Sequence, residues 1–300
     1  MAYTSWGRNQ GDKAVIYAPP SRELLPQPIA CGYRGQANMR GTLLLTNRTA
    51  VCHDPGMSIT VEYPHHAASG APQPLSAQTL WAVAAQVRRQ AMTMPGGFAL
   101  SLATLVAATR TVSANGRPIL VAWELDHPVH DGTGEAVLGV CETDPDMPGT
   151  ALVSVNARMV AGRPDLAVST AAHELGHVVF DVPVALGTPA RRYRSVTAGP
   201  NALLDRTTAV SERRANEFMG ALLAPPVQLH LQMLVHARSE RLRTVHAAHR
   251  GRQGSRVLAS DNPPELIEGV VAALAGDFGV SERFIAVRLS RYGLVQGEQR

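Results

Sequence analysis

Past residue 75 the apolar positions of this chain fall into alternating helical and strand periods. From Leu75 to Thr109 they recur at helical spacing, with a break at Met94-Pro95-Gly96-Gly97. Three strand candidates follow: Ile119–Trp123, Glu135–Cys141 and Ala151–Ala157. In the last, Val153, Val155 and Ala157 alternate with Ser154 and Asn156. A strongly apolar helix is predicted next, carrying Leu166, Val168, Ala171, Ala172, Leu175, Val178 and Val179, with Asp165 or Ser169 as its N-cap. A second helix is expected from Ser211, as cap, to a stop at Pro225-Pro226, and a long third helix over Gln228–His249. Pro264–Phe278, a turn at Gly279 and a helix from Ser281 to Arg291 complete the pattern. Strands followed by helices give an α+β fold with a cleft between sheet and helices.

The first 75 residues differ. They are rich in Pro, Gly and Asn, with short apolar runs at Thr42–Leu45 and Ile59–Val61 that suggest a few strands. His65-His66 falls in a loop, and Ala-Ser-Gly-Ala-Pro-Gln-Pro after it reads as a linker. The expected organisation is an N-terminal extension at 1–75, a main domain at 76–260 and a helical module at 261–300.

Composition narrows the picture. With 45% hydrophobic residues there is material for a sizeable core, which argues against wholesale disorder. The N-terminus lacks the layout of a secretory signal, and no apolar run reaches the roughly 18–20 residues of a membrane span. A soluble, cytoplasmic protein with no membrane partner is therefore expected. Cys31, Cys52 and Cys141 are far apart, so packed free thiols are the default, although Cys31 or Cys52-His53 could fold back on a metal as a latency device. The net charge of +4 is local: Ala237–Arg256 holds six arginines against Glu240 alone. The stripe Arg238–Arg256 could contact nucleic acid or be a solvated helix end and loop.

Chemistry concentrates in the apolar helix, which contains His173-Glu174-Leu175-Gly176-His177. Histidines four positions apart lie on one helical face, so both imidazoles can reach one metal ion, while Glu174 on the neighbouring flank can reach a water on it. Two histidines and a glutamate in a mostly buried helix are costly unless something satisfies them, and Zn2+ does so. A catalytic zinc needs a third protein ligand. The extended motif with a third histidine fails, because Phe180 and Pro183 stand where a glycine and that histidine belong. Glu212 on the next helix is the better donor. Asn216, one turn further, can hydrogen-bond the outer nitrogen of a ligand histidine. Glu217 fits a solvated position. Tyr193, His230, His236, His246 or His249 could supply a donor to an oxyanion, without a choice among them.

His173-Glu174-Leu175-Gly176-His177, then Glu212-x-x-Ala215-Asn216-x-Phe218 and Leu222-Leu223-x-Pro225, resemble the ImmA/IrrE group of intracellular zinc metallopeptidases. Ala151–Asn156 resembles the strand before the active-site helix of that family, and Asp165-Leu166-Ala167 the entry into it. Phe278-Gly279-Val280-Ser281 with Arg288-Leu289 and Tyr292-Gly293-Leu294 resembles its small C-terminal module. The resemblance spans about residues 76–295, but 34 residues between His177 and Glu212 suggest an inserted loop through Thr188–Asn201.

It implies a zincin-like metallopeptidase core, a small twisted sheet packed on an active-site helix and a glutamate helix, with a helix-turn-helix-like module behind. It further implies an endopeptidase with Glu174 as general base, and a protein substrate such as a helix-turn-helix repressor. Substrate would add to an edge strand, Ala151–Asn156 or the strand before it. Arg283, Arg288 and Arg291 are expected on or near the exposed face of the C-terminal module. Two rivals stay open: a DNA-binding regulator that retains the fold, and a zinc hydrolase of small peptides or amides.

Overall fold

A computed structural model describes residues 58–92, 96–144, 146–187, 193–197, 205–249 and 252–296. All belong to one compact unit, His53–Arg300. In chain order the elements are β1 (Ile59–Val61), α1 (Ala77–Ala91), α2 (Leu102–Ala108), β2 (Thr111–Ala114), β3 (Arg117–Glu124), β4 (Gly139–Thr143), β5 (Thr150–Val155), α3 (Pro164–Phe180) and α4 (Val182–Leu186). Then come β6 (Arg194–Val196), α5 (Arg206–Leu223), α6 (Pro226–Ser239), β7 (Thr244–His249), β8 (Arg252–Leu258), α7 (Pro264–Phe278) and α8 (Glu282–Arg291).

The chain is α+β, with a mixed six-stranded sheet in the order β1-β2-β3-β5-β4-β6. Crossovers make β1/β2 and β3/β5 parallel; β2/β3, β5/β4 and β4/β6 are antiparallel. Strands β2 and β5 bury every second residue, which turns Val112, Ala114, Ala151, Val153 and Val155 toward the helices. Helix α3 packs on β4 and β5 and, on its other side, on α5, which in turn meets α1. This position between sheet and helix explains why α3 is buried almost all round from Ala167 to Phe180. Among the described residues no single helix is long and apolar enough to cross a membrane.

Local chemistry sets the boundaries. Ser76, Ser101 and Ser281 each accept a backbone N–H three residues on, capping α1, α2 and α8. Helix α3 starts at Pro164 after Arg163, not at an Asp165 or Ser169 cap, because proline suits the first helical position. Helix α5 starts earlier than the pattern suggested: Asp205 accepts from the Thr207 and Thr208 amides, leaving Ser211 inside the helix. The expected long helix over Gln228–His249 is instead α6 followed by the β7–β8 hairpin. Arg241 breaks it by adopting a left-handed φ of 55°.

Two boundaries move. β1 is part of the sheet, so the extension does not end at 75. The Pro/Gly-rich stretch after it is a closed turn, with Gly70 N–H on the His66 carbonyl at 2.7 Å and His65 bridged to Pro72. At the other end, α7, the Gly279 turn (φ 65°) and α8 fall where expected but share the main core. Tyr292 stacks edge-on against Trp81, and its hydroxyl donates to the Ala224 carbonyl at 3.1 Å. Arg288 is buried against α5, not on an exposed face. Within the arginine stripe, Arg243 pairs with Asp261 at 2.5 Å, and Arg250 lies outside the described residues, as do Cys31, Cys52 and Thr42–Leu45.

Candidate metal centre

Helix α3 puts His173 and His177 one turn apart on one face, their ring centroids 4.9 Å apart. What brings the third donor is the close approach of α3 and α5. Gly176 lies against Ala215 so tightly that a Cβ there would come within 2.9 Å of the Ala215 Cα. That leaves no room for a side chain and delivers Glu212, one turn before Ala215, to the two imidazoles.

The three donor groups converge. His173 Nε2 lies 3.2 Å from His177 Nε2 and 3.2 Å from Glu212 Oε2, and His177 Nε2 lies 3.2 Å from Glu212 Oε1. Metal–ligand bonds of about 2.0–2.1 Å in a tetrahedron put neighbouring ligands about 3.3 Å apart. The two imidazoles meet different oxygens of the same carboxylate, and one donor atom from each residue lies within 4.8 Å of the other two, so the triad can hold a metal ion. All three residues are buried.

Without an ion, a proton holds the cluster together. Burial opposes charge on His177, but hydrogen bonds to Asp181 and Glu212 outweigh it and raise its pKa to about 10. Burial would raise the Glu212 pKa, yet the hydrogen bonds to His173 and His177 hold that carboxyl well below the usual range. Asp181, one turn past His177, is the hub behind the site. His177 Nδ1 lies 2.8 Å from Asp181 Oδ2, Ser211 Oγ donates to the same oxygen at 2.6 Å, and Arg214 Nη2 pairs with Oδ1. The Tyr193 hydroxyl donates to Asp181 Oδ2 at 3.4 Å. With Nδ1–H held by Asp181, the neutral ring keeps its Nε2 lone pair for a metal ion.

Glu174 is fully buried beside the donors. Gly139 on β4 makes room for it: a Cβ at that glycine would lie 2.7 Å from Glu174 Oε1. Thr197 Oγ1 donates to Oε1, while Oε2 is buried without a hydrogen-bond partner among the described residues. Burial raises the Glu174 pKa, partly offset by His173 and His177. A buried carboxylate oxygen without a partner is expensive, and a water beside the donors would satisfy it.

The structure thus brings together His173, Glu174, His177 and Glu212, but not Asn216. Its side chain is exposed and bonds neither histidine; only its carbonyl is used, accepting from Arg288 Nη2 at 3.3 Å. The α3–α5 contact centres on Ala215, which turns Asn216 outward, and Asp181 takes the histidine-orienting place. Glu217 is buried rather than solvated, bonded by Trp81 Nε1 at 2.8 Å and Arg291 Nε at 3.0 Å.

The inserted loop supplies what sequence reasoning missed. It contains β6, which adds a sixth strand beside β4 and carries Ser195, with Thr197 just beyond it. Strand β5 lies between β3 and β4, and β4 between β5 and β6, so neither offers the free edge expected for Ala151–Asn156 or the strand before it. On the site's side the terminal strand is β6. Tyr193, among the oxyanion candidates, reaches the outer nitrogen of His177 at 3.3 Å rather than the donor face.

No protein-family model matches the chain, and no curated protein or solved structure matches it either. The site therefore has to be judged on its own geometry.

Proposed function

We propose that the chain is a zinc-dependent endopeptidase with a zincin-like core of the ImmA/IrrE type. One observation carries the reading: a buried glutamate with one orphaned oxygen stands beside two histidines and a carboxylate that converge closely enough to share one ion. Zinc is the cation that a two-histidine, one-carboxylate set on an HExxH helix suits best; when bound, it polarises a carbonyl and lowers the pKa of a water to about 7.

The protein's own part follows from its side chains. His173, His177 and Glu212 would hold the ion. Glu174 takes the proton of the attacking water on Oε2 and passes it to the leaving amine. Its elevated pKa suits both halves of that task, since a base that is too weak an acid or too strong an acid would stall one of them. Asp181 keeps the His177 ring in register. Resemblance to the ImmA/IrrE group extends the proposal to a cytoplasmic protein substrate, such as a helix-turn-helix repressor.

The test is terminal-amine labelling of a cell lysate incubated with zinc-loaded wild type or Glu174→Gln. The wild type should generate new protein N-termini. Glu174→Gln should keep its zinc and lose activity by a factor of about 10²–10⁴. Equal cleavage by both proteins would overturn the endopeptidase reading.

A further inference from the structure

A side chain of β6 also reaches two of the three donors. Ser195 Oγ lies 3.2 Å from His177 Nε2 and 3.2 Å from Glu212 Oε1. Its two contacts are as short as the one between His177 Nε2 and Glu212 Oε1. Two residues on, and therefore on the same side of an extended chain, Thr197 caps Glu174 Oε1. One short segment covers both the metal corner and the general base.

We propose that Ser195 is a fourth protein ligand of the metal, so that β6 closes the centre in its resting state. The claim rests on the metal reading above and deepens it. The hydroxyl coordinates through an oxygen lone pair as a neutral group, with no covalent bond made or broken. A water would reach the ion itself only when Ser195 withdraws.

The strand lies at the edge of the sheet. Among the described residues three register pairs join β6 to β4, Val140 with Val196, Cys141 with Ser195, and Glu142 with Arg194, and backbone hydrogen bonds at Tyr193 and Thr197 extend the ladder by one residue on each side. Arg194 adds a hydrogen bond from Nη2 to the His130 carbonyl at 2.7 Å, and an ion pair to Glu142 at 3.6 Å. A terminal strand this short opens at far lower cost than the core strands β3 and β5. The alternative role for the hydroxyl, a hydrogen bond to Glu212 with no bond to the ion, predicts a different coordination shell.

X-ray absorption at the zinc edge separates them. Ser195→Cys, loaded with zinc at full occupancy, should gain one sulfur neighbour at about 2.3 Å. Thr197→Cys, tested in parallel, should show only nitrogen and oxygen neighbours, as wild type does. Full zinc with no sulfur shell in Ser195→Cys would overturn the proposal. Zinc-free wild type would instead overturn the metal reading itself.

If Ser195→Cys does not fold, Ser195→Ala decides. Loaded with manganese(II), it should relax solvent protons faster than wild type, because water takes the vacated corner. Equal relaxation by the two proteins would rule out the serine as a ligand.

Discussion

Helix α5 carries two buried glutamates five residues apart, and their surroundings are opposites. Glu217 meets donors only: the Trp81 indole N–H at 2.8 Å, Arg291 at 3.0 Å and Arg288 at 3.9 Å. Its charge is answered, and nothing further need bind. Glu212 meets two imidazole nitrogens, each 3.2 Å away, and a serine hydroxyl. Without a cation that site must hold a proton instead, which is why His177 titrates so high. Buried carboxylates on one helix can therefore serve different ends. What distinguishes them is whether fixed positive charge or lone-pair donors surround them.

The contrast can be broken at either end. Glu217→Ala should have the largest effect on stability, about 3–5 kcal/mol in a denaturant titration, by leaving Arg288 buried without its counter-ion. Zinc content should not change. Asp181→Asn should act the other way, weakening zinc affinity by about 10–100-fold in a chelator competition while leaving the fold intact. Equal zinc affinity would deny Asp181 its place behind His177.

A third prediction concerns pH. The His177 pKa is raised from 6.5 to about 10, so its contribution to the metal-free protein is complete below the lower value and is lost as pH rises through the higher. Asp181 and Glu212 are depressed, so theirs is present above the ordinary carboxylate range and fades as pH falls through it. Thermal midpoints of the metal-free protein should therefore decline from pH 7 toward 10. Zinc affinity should rise over the same interval, because the ion competes with the proton on His177. A midpoint independent of pH across that window would contradict the assignment.

How much of this was legible depended on sequence distance. His173, Glu174 and His177 sit on one apolar helix, where spacing alone fixes their shared face. Glu212 could be found because a zinc site needs a third donor and the next helix offered a carboxylate. Asn216 misled, because helical spacing aligns it with Glu212 but cannot say which flank α3 covers. Asp181 was within reach of the same reasoning, lying four residues past His177.

Glu217 was not, since its partners Trp81 and Arg291 are 136 and 74 residues away. Nor was β6: a three-residue edge strand carries too few alternations to stand out, so Ser195 and Thr197 read as loop polarity. The β7–β8 hairpin was hidden by a helix-like pattern that only the left-handed Arg241 interrupts. The C-terminal turn was plain, because Gly279 and the Ser281 cap mark it locally, whereas the burial of Arg288 is a tertiary fact.

The most direct test compares the metal content of wild type, Glu212→Ala and Glu217→Ala, purified alongside one another. The account predicts one zinc per chain in wild type and in Glu217→Ala, and none in Glu212→Ala. Undiminished zinc in Glu212→Ala, or a wild type without zinc, would contradict it.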